Sequence, residues 1–164
     1  MKKGFSLAET IVYIALLAII FIVVINSLVA IMSSYYSIKS SRDIENSAML
    51  GLDRIERDIK NSSNIAAIST STNPNSITLN TFDSDNNPLV VRFYVSSGTL
   101  LVDENGSYSG PLSDSDVTVS SLLFSPISTG NSSGVKIQMT LQSGTSSAFK
   151  SKNFYDTAVM RGSY

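Results

Sequence analysis

The hydrophobic pattern begins with a long apolar run over residues 11–32, which only Asn26 and Ser27 interrupt. As a helix with a rise of about 1.5 Å per residue, the run is roughly 33 Å long, enough to cross a hydrocarbon core of about 30 Å. Lys2 and Lys3 lie on its short N-terminal side. The excess of basic residues on the cytoplasmic side of membrane helices therefore predicts an N-terminus inside the cell and a remainder outside.

The apolar run continues into an amphipathic helix over residues 34–60. Its apolar positions recur at steps of three or four residues, which marks one helix face: Ile44, Ala48, Leu52, Ile55 and Ile59. The pairs Asp53–Arg57 and Glu56–Lys60 have the favourable acid-first i,i+4 order. Because no proline occurs between residues 5 and 74, we expect one helix from about residue 5 to 60, with its first half (5–33) in the membrane.

The period changes to two in residues 61–164, which predicts strands. Apolar and polar residues alternate most strictly at 135–141, with Val135, Ile137, Met139 and Leu141 facing inward. Further strands are predicted at 76–80, 90–95, 99–102, 117–119, 122–124 and 154–160, with a hairpin turn at 96–98 and polar loops at 61–75, 105–116, 128–134 and 143–152. The pattern therefore predicts an α+β fold, in which an antiparallel β-sheet packs on the amphipathic half of the helix.

Composition narrows the functional classes. The chain has 164 residues, a net charge of -1, no His and no Cys. Charge therefore gives no reason to expect a nucleic-acid partner, and disulfides and thiolate zinc sites are excluded. Without His the commonest general base and metal ligand is missing. We expect no enzyme activity, no cofactor and no catalytic residue.

One loop resembles the start of a calcium site. Asp83, Asp85 and Asn87 follow the D-x-D-x-N order, but Pro88 and Tyr94 occupy the positions where an EF-hand requires Gly and Glu. A turn closed by Asp and Asn side chains explains the segment more simply. The sequence favours this turn and leaves calcium binding at 83–87 open.

Glu9 lies at the edge of the membrane segment, where an unpaired carboxylate is costly. The stretch Gly4-Phe5-Ser6-Leu7-Ala8-Glu9, preceded by lysines and followed by an apolar helix, resembles the processing site of the type IV pilin-like family. This resemblance implies a leader peptide, residues 1–4, that prepilin peptidase cleaves between Gly4 and Phe5. It also implies N-methylation of Phe5 and a lollipop-shaped pilin-like fold.

In this family the carboxylate at the position of Glu9 pairs with the N-terminal amine of a neighbouring subunit. The resemblance therefore implies a minor pilin or pseudopilin of a type IV pilus, type II secretion or competence filament, with other such subunits as partners. Short matches at 55–59 and 154–161 resemble the J or W type of minor pseudopilin. The subunit would reside in the cytoplasmic membrane before entering a periplasmic or cell-surface filament.

Two alternatives remain. Glu9 can lie at the cytoplasmic surface beside Lys2 and Lys3 without any role in assembly. The apolar run can also be a conventional signal sequence, although Leu28 makes cleavage near Ala30 unfavourable. In that case the chain is a membrane-anchored or secreted β-domain that binds a ligand, like an adhesin.

Overall fold

The computed structural model describes residues 6–69, 74–129, 132–145 and 148–161. The chain forms two compact units, Met1–Tyr36 and Ser37–Tyr164. One helix, α1 (Leu7–Asn61), contributes to both units. The described strands, in chain order, are β1 (Asn64–Ile68), β2 (Ile77–Phe82), β3 (Pro88–Ser96), β4 (Thr99–Glu104), β5 (Ser107–Pro111), β6 (Val117–Thr129), β7 (Ser132–Ser143) and β8 (Lys150–Val159).

The strands form two antiparallel sheets. The first has the order β1-β2-β3-β4-β5 and the second has the order β6-β7-β8. The predicted α+β class and the antiparallel pairing are confirmed, and the strands divide between two sheets where the sequence suggested one. The four predicted inward positions of β7, from Val135 to Leu141, are all buried in the core.

Strands β1 and β5 lie in segments that we expected to be loops. Both are edge strands of the first sheet, each pairs with a single neighbour, and each pairing contains a register shift. Their side chains are exposed or half-buried. Neither strand therefore shows the alternation of apolar and polar residues by which a strand with one buried face is identified. β5 even contains Gly110 and Pro111, residues that are typical of edges and turns.

The second half of α1 buries one face against the sheets. The predicted residues Ile44, Ala48, Ile55 and Ile59 are at most 1% exposed, which confirms the helix face. Leu52 is half-buried and packs against the margin of the core, and the adjacent Gly51 is buried. A Cβ atom on Gly51 would lie 2.9 Å from Leu100 Cδ2. The glycine therefore leaves room for the Leu100 side chain of β4 against the helix.

The hairpin predicted between β3 and β4 is confirmed, with a turn of two residues, Ser97 and Gly98, where the sequence suggested the three residues 96–98. Ser97 and Gly98 both have positive φ, 51° and 78°, as a type I′ turn requires. The Gly98 carbonyl also accepts a hydrogen bond from the Val119 N–H at 2.7 Å. This turn therefore connects the end of the first sheet with the outer edge of β6.

Asn75 completes the covering of the β6 edge. Its backbone N–H donates to the Leu122 carbonyl (2.8 Å). Its side chain accepts from the Phe124 N–H (2.9 Å) and donates to the Phe124 carbonyl (3.4 Å). Asn75 is buried, so one side chain satisfies two backbone groups that have no access to a neighbouring strand.

Replacing Asn75 by Ala should lower the free energy of unfolding by about 1–3 kcal/mol, because the buried Phe124 N–H loses its acceptor. Asn80→Ala is the matched control, since the Asn80 amide bonds to Asn64 at an exposed position and its loss should cost at most about 0.5 kcal/mol. Urea unfolding of the detergent-solubilised chain measures both. Equal losses for the two variants would contradict this role of Asn75.

Candidate functional site at the start of the N-terminal helix

The first turn of α1 is capped by Ser6. The Ser6 hydroxyl accepts a hydrogen bond from the Glu9 N–H at 3.2 Å, and the Ser6 carbonyl accepts one from the Thr10 N–H at 3.2 Å. Ser6 is therefore the N-cap residue and Glu9 occupies the third helical position. This is the S-x-x-E spacing of a capping box, in which an acid near the helix N-terminus is also favoured by the helix dipole.

The Glu9 side chain lies on the exposed surface of the helix. The Tyr13 hydroxyl, one turn further along, donates a hydrogen bond to Glu9 Oε1 at 3.2 Å. No basic side chain pairs with Glu9 among the residues that the structure describes, and Lys2 and Lys3 lie outside them. A neutral phenol leaves most of the acceptor capacity of a carboxylate free for another donor.

The predicted processing residues Gly4 and Phe5 lie outside the described residues. Cleavage between them and N-methylation of Phe5 therefore remain predictions. The sequence did not lead us to Ser6 as a cap or to Tyr13 as the partner of Glu9. The S-x-x-E spacing and the four-residue separation of Glu9 and Tyr13 are signals that could have indicated both contacts.

The helix that follows Glu9 has an apolar surface on every side. Its large apolar side chains between residues 7 and 32 range from 42% exposed (Ile25) to 80% exposed (Leu7). The most apolar stretch has a mean hydropathy of 3.0, and none of it is buried within the molecule. The helix is long and apolar enough to cross a membrane, a property that a signal sequence near an N-terminus shares.

Two further features of this helix bear on the sequence predictions. Asn26 and Ser27 do not interrupt α1, which continues through them without a break. Tyr35 and Tyr36, which follow the apolar run, have ring centroids 5.7 Å apart in an edge-to-face arrangement. Exposed tyrosines at this position are typical of a membrane–water interface.

In the second unit, charged side chains connect the helix with both sheets. Arg54 donates to Asp58 (2.9 Å) and to Glu104 on β4 (2.8 Å). Lys152 on β8 donates to Ser41 (2.7 Å) and Glu45 (2.6 Å). The two predicted pairs along the helix, 53–57 and 56–60, are also present. The contacts to the sheets join residues far apart in sequence, and no local spacing could have predicted them.

Burial affects one of these acids directly. The pKa of Asp58 is raised, mainly because its carboxylate is removed from water, although the hydrogen bond from Arg54 opposes that effect. The folded state therefore binds the proton on Asp58 more tightly than the unfolded state does. Between the usual pKa of an aspartate, about 3.9, and its own higher value, its contribution to stability falls as the pH rises.

The calcium-like loop is the turn that the sequence favoured. Asp83 Oδ1 accepts hydrogen bonds from the N–H groups of Asp85 (2.9 Å) and Asn87 (2.8 Å), and Oδ2 accepts from Asn87 Nδ2 (3.1 Å). Asn86 has a φ of 63°, which Asn tolerates better than most residues. Hydrogen bonds inside the loop therefore engage both carboxylate oxygens. In the described ranges, no group of three or more acidic side chains is placed to hold a metal ion.

These hydrogen bonds to Asp83 predict a pH effect. They lower the pKa of Asp83, chiefly through the N–H of Asn87. The stabilisation is therefore complete above the pKa of an unfolded aspartate, about 3.9, and is lost as the pH falls towards the folded value. In Asp83→Asn, which keeps an acceptor but does not titrate, stability should fall less steeply below that pH. An unchanged acid limb in pH-dependent unfolding would contradict the prediction.

No protein-family model, no curated protein and no solved structure matches this chain.

Proposed function

We propose that this chain is a structural subunit, a minor pilin or pseudopilin, of a type IV pilus, type II secretion or competence filament. The observation that carries the proposal is the register of three features. The Gly4–Phe5 bond precedes the helix, Glu9 follows in its first turn, and the helix after Glu9 is apolar on every side. Phe5, Ser6, Leu7 and Ala8 separate the bond from the acid, which is the spacing of the motif that resembles the pilin-like family.

The proposed assembly chemistry follows from the contacts of Glu9. Cleavage after Gly4 creates an amine at Phe5, and an α-amine has an ordinary pKa of about 7.7–8.0, so it is mostly cationic at neutral pH. The Glu9 carboxylate accepts only one hydrogen bond from a side chain among the described residues, from Tyr13. It can therefore accept the amine of a neighbouring subunit in a low-dielectric setting, where leaving either charge unpaired is costly. The pair would fix the axial register of adjacent helices.

The apolar helix fits both the membrane-bound state and the assembled state of such a subunit. In the cytoplasmic membrane, lipid would cover its surface, with the N-terminus inside and the β-domain outside. In the filament, the helices of neighbouring subunits would replace the lipid. In this proposal the chain consists of a leader (1–4), the membrane half of the helix (5–33), the amphipathic half of the helix (34–60) and a β-domain (61–164). Among pseudopilins, the proposed subunit type is a minor pseudopilin of the J or W type.

A second candidate function rests on the same helix. A single apolar helix near the N-terminus also occurs in signal sequences and simple membrane anchors. The chain would then be an anchored or secreted β-domain that binds a ligand. This alternative explains the apolar surface and leaves helix capping as the reason for an acid in the first turn of the helix.

Intact-mass spectrometry of the membrane-extracted chain, with fragmentation from the N-terminus, separates the two candidates. We expect a chain that begins at Phe5 and carries one additional methyl group on its amine. Gly4→Leu should remain uncleaved and retain Met1 or Lys2 at its terminus, while still being inserted in the membrane. A native chain that begins at Met1, or after Ala30, would contradict the proposed processing and favour the binding module.

A further inference from the structure

The four edges of the two sheets differ in how they are protected. The β1 and β5 edges are short and irregular, and β5 ends in a proline. Asn75 and Gly98 cover the edge of β6. Strand β8 is ten residues long, pairs with β7 without a register shift, and has no second strand beside it in the described part of the chain. It is the longest regular edge that the fold leaves open, and such edges are templates for pairing with another chain.

Hydrogen bonds show which backbone groups of β8 point away from β7. Immediately after the strand, the Met160 N–H donates to the Ser133 carbonyl, so even-numbered residues bond towards β7. Odd-numbered residues point outward, and two observations agree with this assignment. The Arg161 N–H bonds to the Lys60 carbonyl at the helix end, and the Thr157 N–H bonds to the Asp156 side chain at 2.7 Å.

The sequence of β8 is self-complementary when two copies run antiparallel. If the pairing is centred on Phe154, Lys152 of each copy lies opposite Asp156 of the other, and the two Phe154 rings are directly opposed. In this register the outward residues Asn153 and Tyr155 form a hydrogen-bonded pair. Opposite charges and aromatic pairs directly across two strands stabilise an antiparallel sheet. Centring the pairing on residue 155 loses this match, and centring it on residue 153 places Lys150 opposite Asp156 but sets Lys152 opposite Phe154 and so loses the aromatic pair.

We propose that the β8 edge binds the β8 edge of a second copy of this chain, antiparallel and centred on Phe154, to form one continuous six-stranded sheet from the two three-stranded ones. In the single copy, the Asp156 carboxylate accepts a hydrogen bond from the outward N–H of Thr157 and so satisfies one donor of this edge. On pairing, Asp156 releases this N–H to the carbonyl of Ser151 in the other copy and accepts Lys152 from that copy. Lys152 keeps donors for Glu45, since an ammonium carries three.

This contact differs from the helix packing proposed for the filament. Strand β8 runs in the same direction as the second half of α1, because Lys152 contacts Ser41 and Glu45 while the Arg161 N–H contacts the Lys60 carbonyl. An antiparallel pair of β8 strands therefore places the two amphipathic helix halves in opposite directions, so neighbouring subunits packed side by side in one filament cannot form it, and the pair belongs to copies outside a filament. The pair does not depend on processing or on Glu9, and either proposal can fail without the other.

Cysteine crosslinking of the full chain in detergent tests the register, and the absence of native Cys makes the readout specific. Under mild oxidation Phe154→Cys should give at least about tenfold more disulfide-linked dimer than Asn153→Cys or Tyr155→Cys, because only directly opposed residues have Cα atoms within disulfide range. Equal yields at the three positions, or a maximum at 153 or 155, would overturn the proposal.

Variants that exchange the charges at residues 152 and 156 in the Phe154→Cys background distinguish specific β8 pairing from random crosslinking between copies. Lys152→Asp places two carboxylates opposite each other and should abolish the excess crosslinking. The double variant Lys152→Asp/Asp156→Lys restores opposite charges and should recover it. Glu45→Gln removes the charged intramolecular partner of Lys152 and should leave the yield unchanged. Failure of the double variant to recover crosslinking would contradict the proposed ion pairs.

Hydrogen exchange of the unmodified chain provides a test that does not depend on any variant. The outward amides of residues 151, 153, 155 and 157 should become protected as the protein concentration rises, while the edge amides of β5 should not. Exchange at 151–157 that is independent of concentration over the range used for crosslinking would overturn the proposal.

Discussion

Glu9→Gln should leave membrane insertion and processing intact but remove the subunit from assembled filaments. Gln can occupy the third position of a capping box as well as Glu, so the first helical turn keeps its structure. It cannot pair as a charge with the Phe5 amine of a neighbouring subunit. Breaking a buried ion pair by removing one partner costs about 3–5 kcal/mol, which corresponds to more than about a hundredfold in the association constant.

Glu9→Val should have the same effect on incorporation and should also lose any capping contribution. Ser6→Ala and Tyr13→Phe are the matched controls, since each removes one observed contact of Glu9 and retains the carboxylate. Both should remain assembly-competent, although loss of the cap lowers helix stability by about 0.5–2 kcal/mol. Incorporation is measured by comparing sheared filaments with the membrane fraction. Normal incorporation of Glu9→Gln would show that Glu9 is a helix-capping residue without a role in docking.

The second large effect is expected at the helix–sheet interface. Ile55→Ala should lower the free energy of unfolding by about 2–5 kcal/mol, because the side chain is fully buried and its removal leaves a cavity. Urea unfolding of the detergent-solubilised chain, followed by the near-ultraviolet circular dichroism of its tyrosines, measures the loss. This signal reports tertiary packing and is insensitive to helix that persists in detergent.

Met49 on the same helix provides the control for Ile55. Its side chain is 71% exposed, so Met49→Ala should change stability by at most about 0.5 kcal/mol. The two substitutions remove similar apolar volumes from opposite faces of one helix. Comparable losses would show that α1 does not bury the face that contains Ile55.

The elements that the sequence predicted best are those in which burial imposes a period. The amphipathic half of α1 was identified because Ile44, Ala48, Ile55 and Ile59 must face the sheets together. Strand β7 was identified because it is the central strand of its sheet and buries every second side chain. The hairpin at Ser97 and Gly98 was predictable because Gly98, which tolerates its positive φ, lies between two runs of strand-forming residues.

The remaining features depend on contacts between segments that are distant in sequence. The edge strands β1 and β5 bury little and carry no clear period. Asn75 matters because it bonds to Phe124, and Gly51 matters because Leu100 packs against it. Both partners are distant in sequence, so no local pattern could indicate these contacts. At the candidate site, the resemblance led to Glu9, while the contacts with Ser6 and Tyr13 became visible only with the helix geometry.

The polar contacts along the second half of α1 have a mechanical consequence. Between residues 41 and 60 the helix is tied to β4 through Arg54, to β8 through Lys152, and to the chain beyond β8 through the Lys60 carbonyl. A force applied along this helix, such as tension in a fibre, would shear all of these contacts at once and would not peel them apart one by one. We therefore expect the β-domain to detach from its helix in a single abrupt step under load, after resisting strongly.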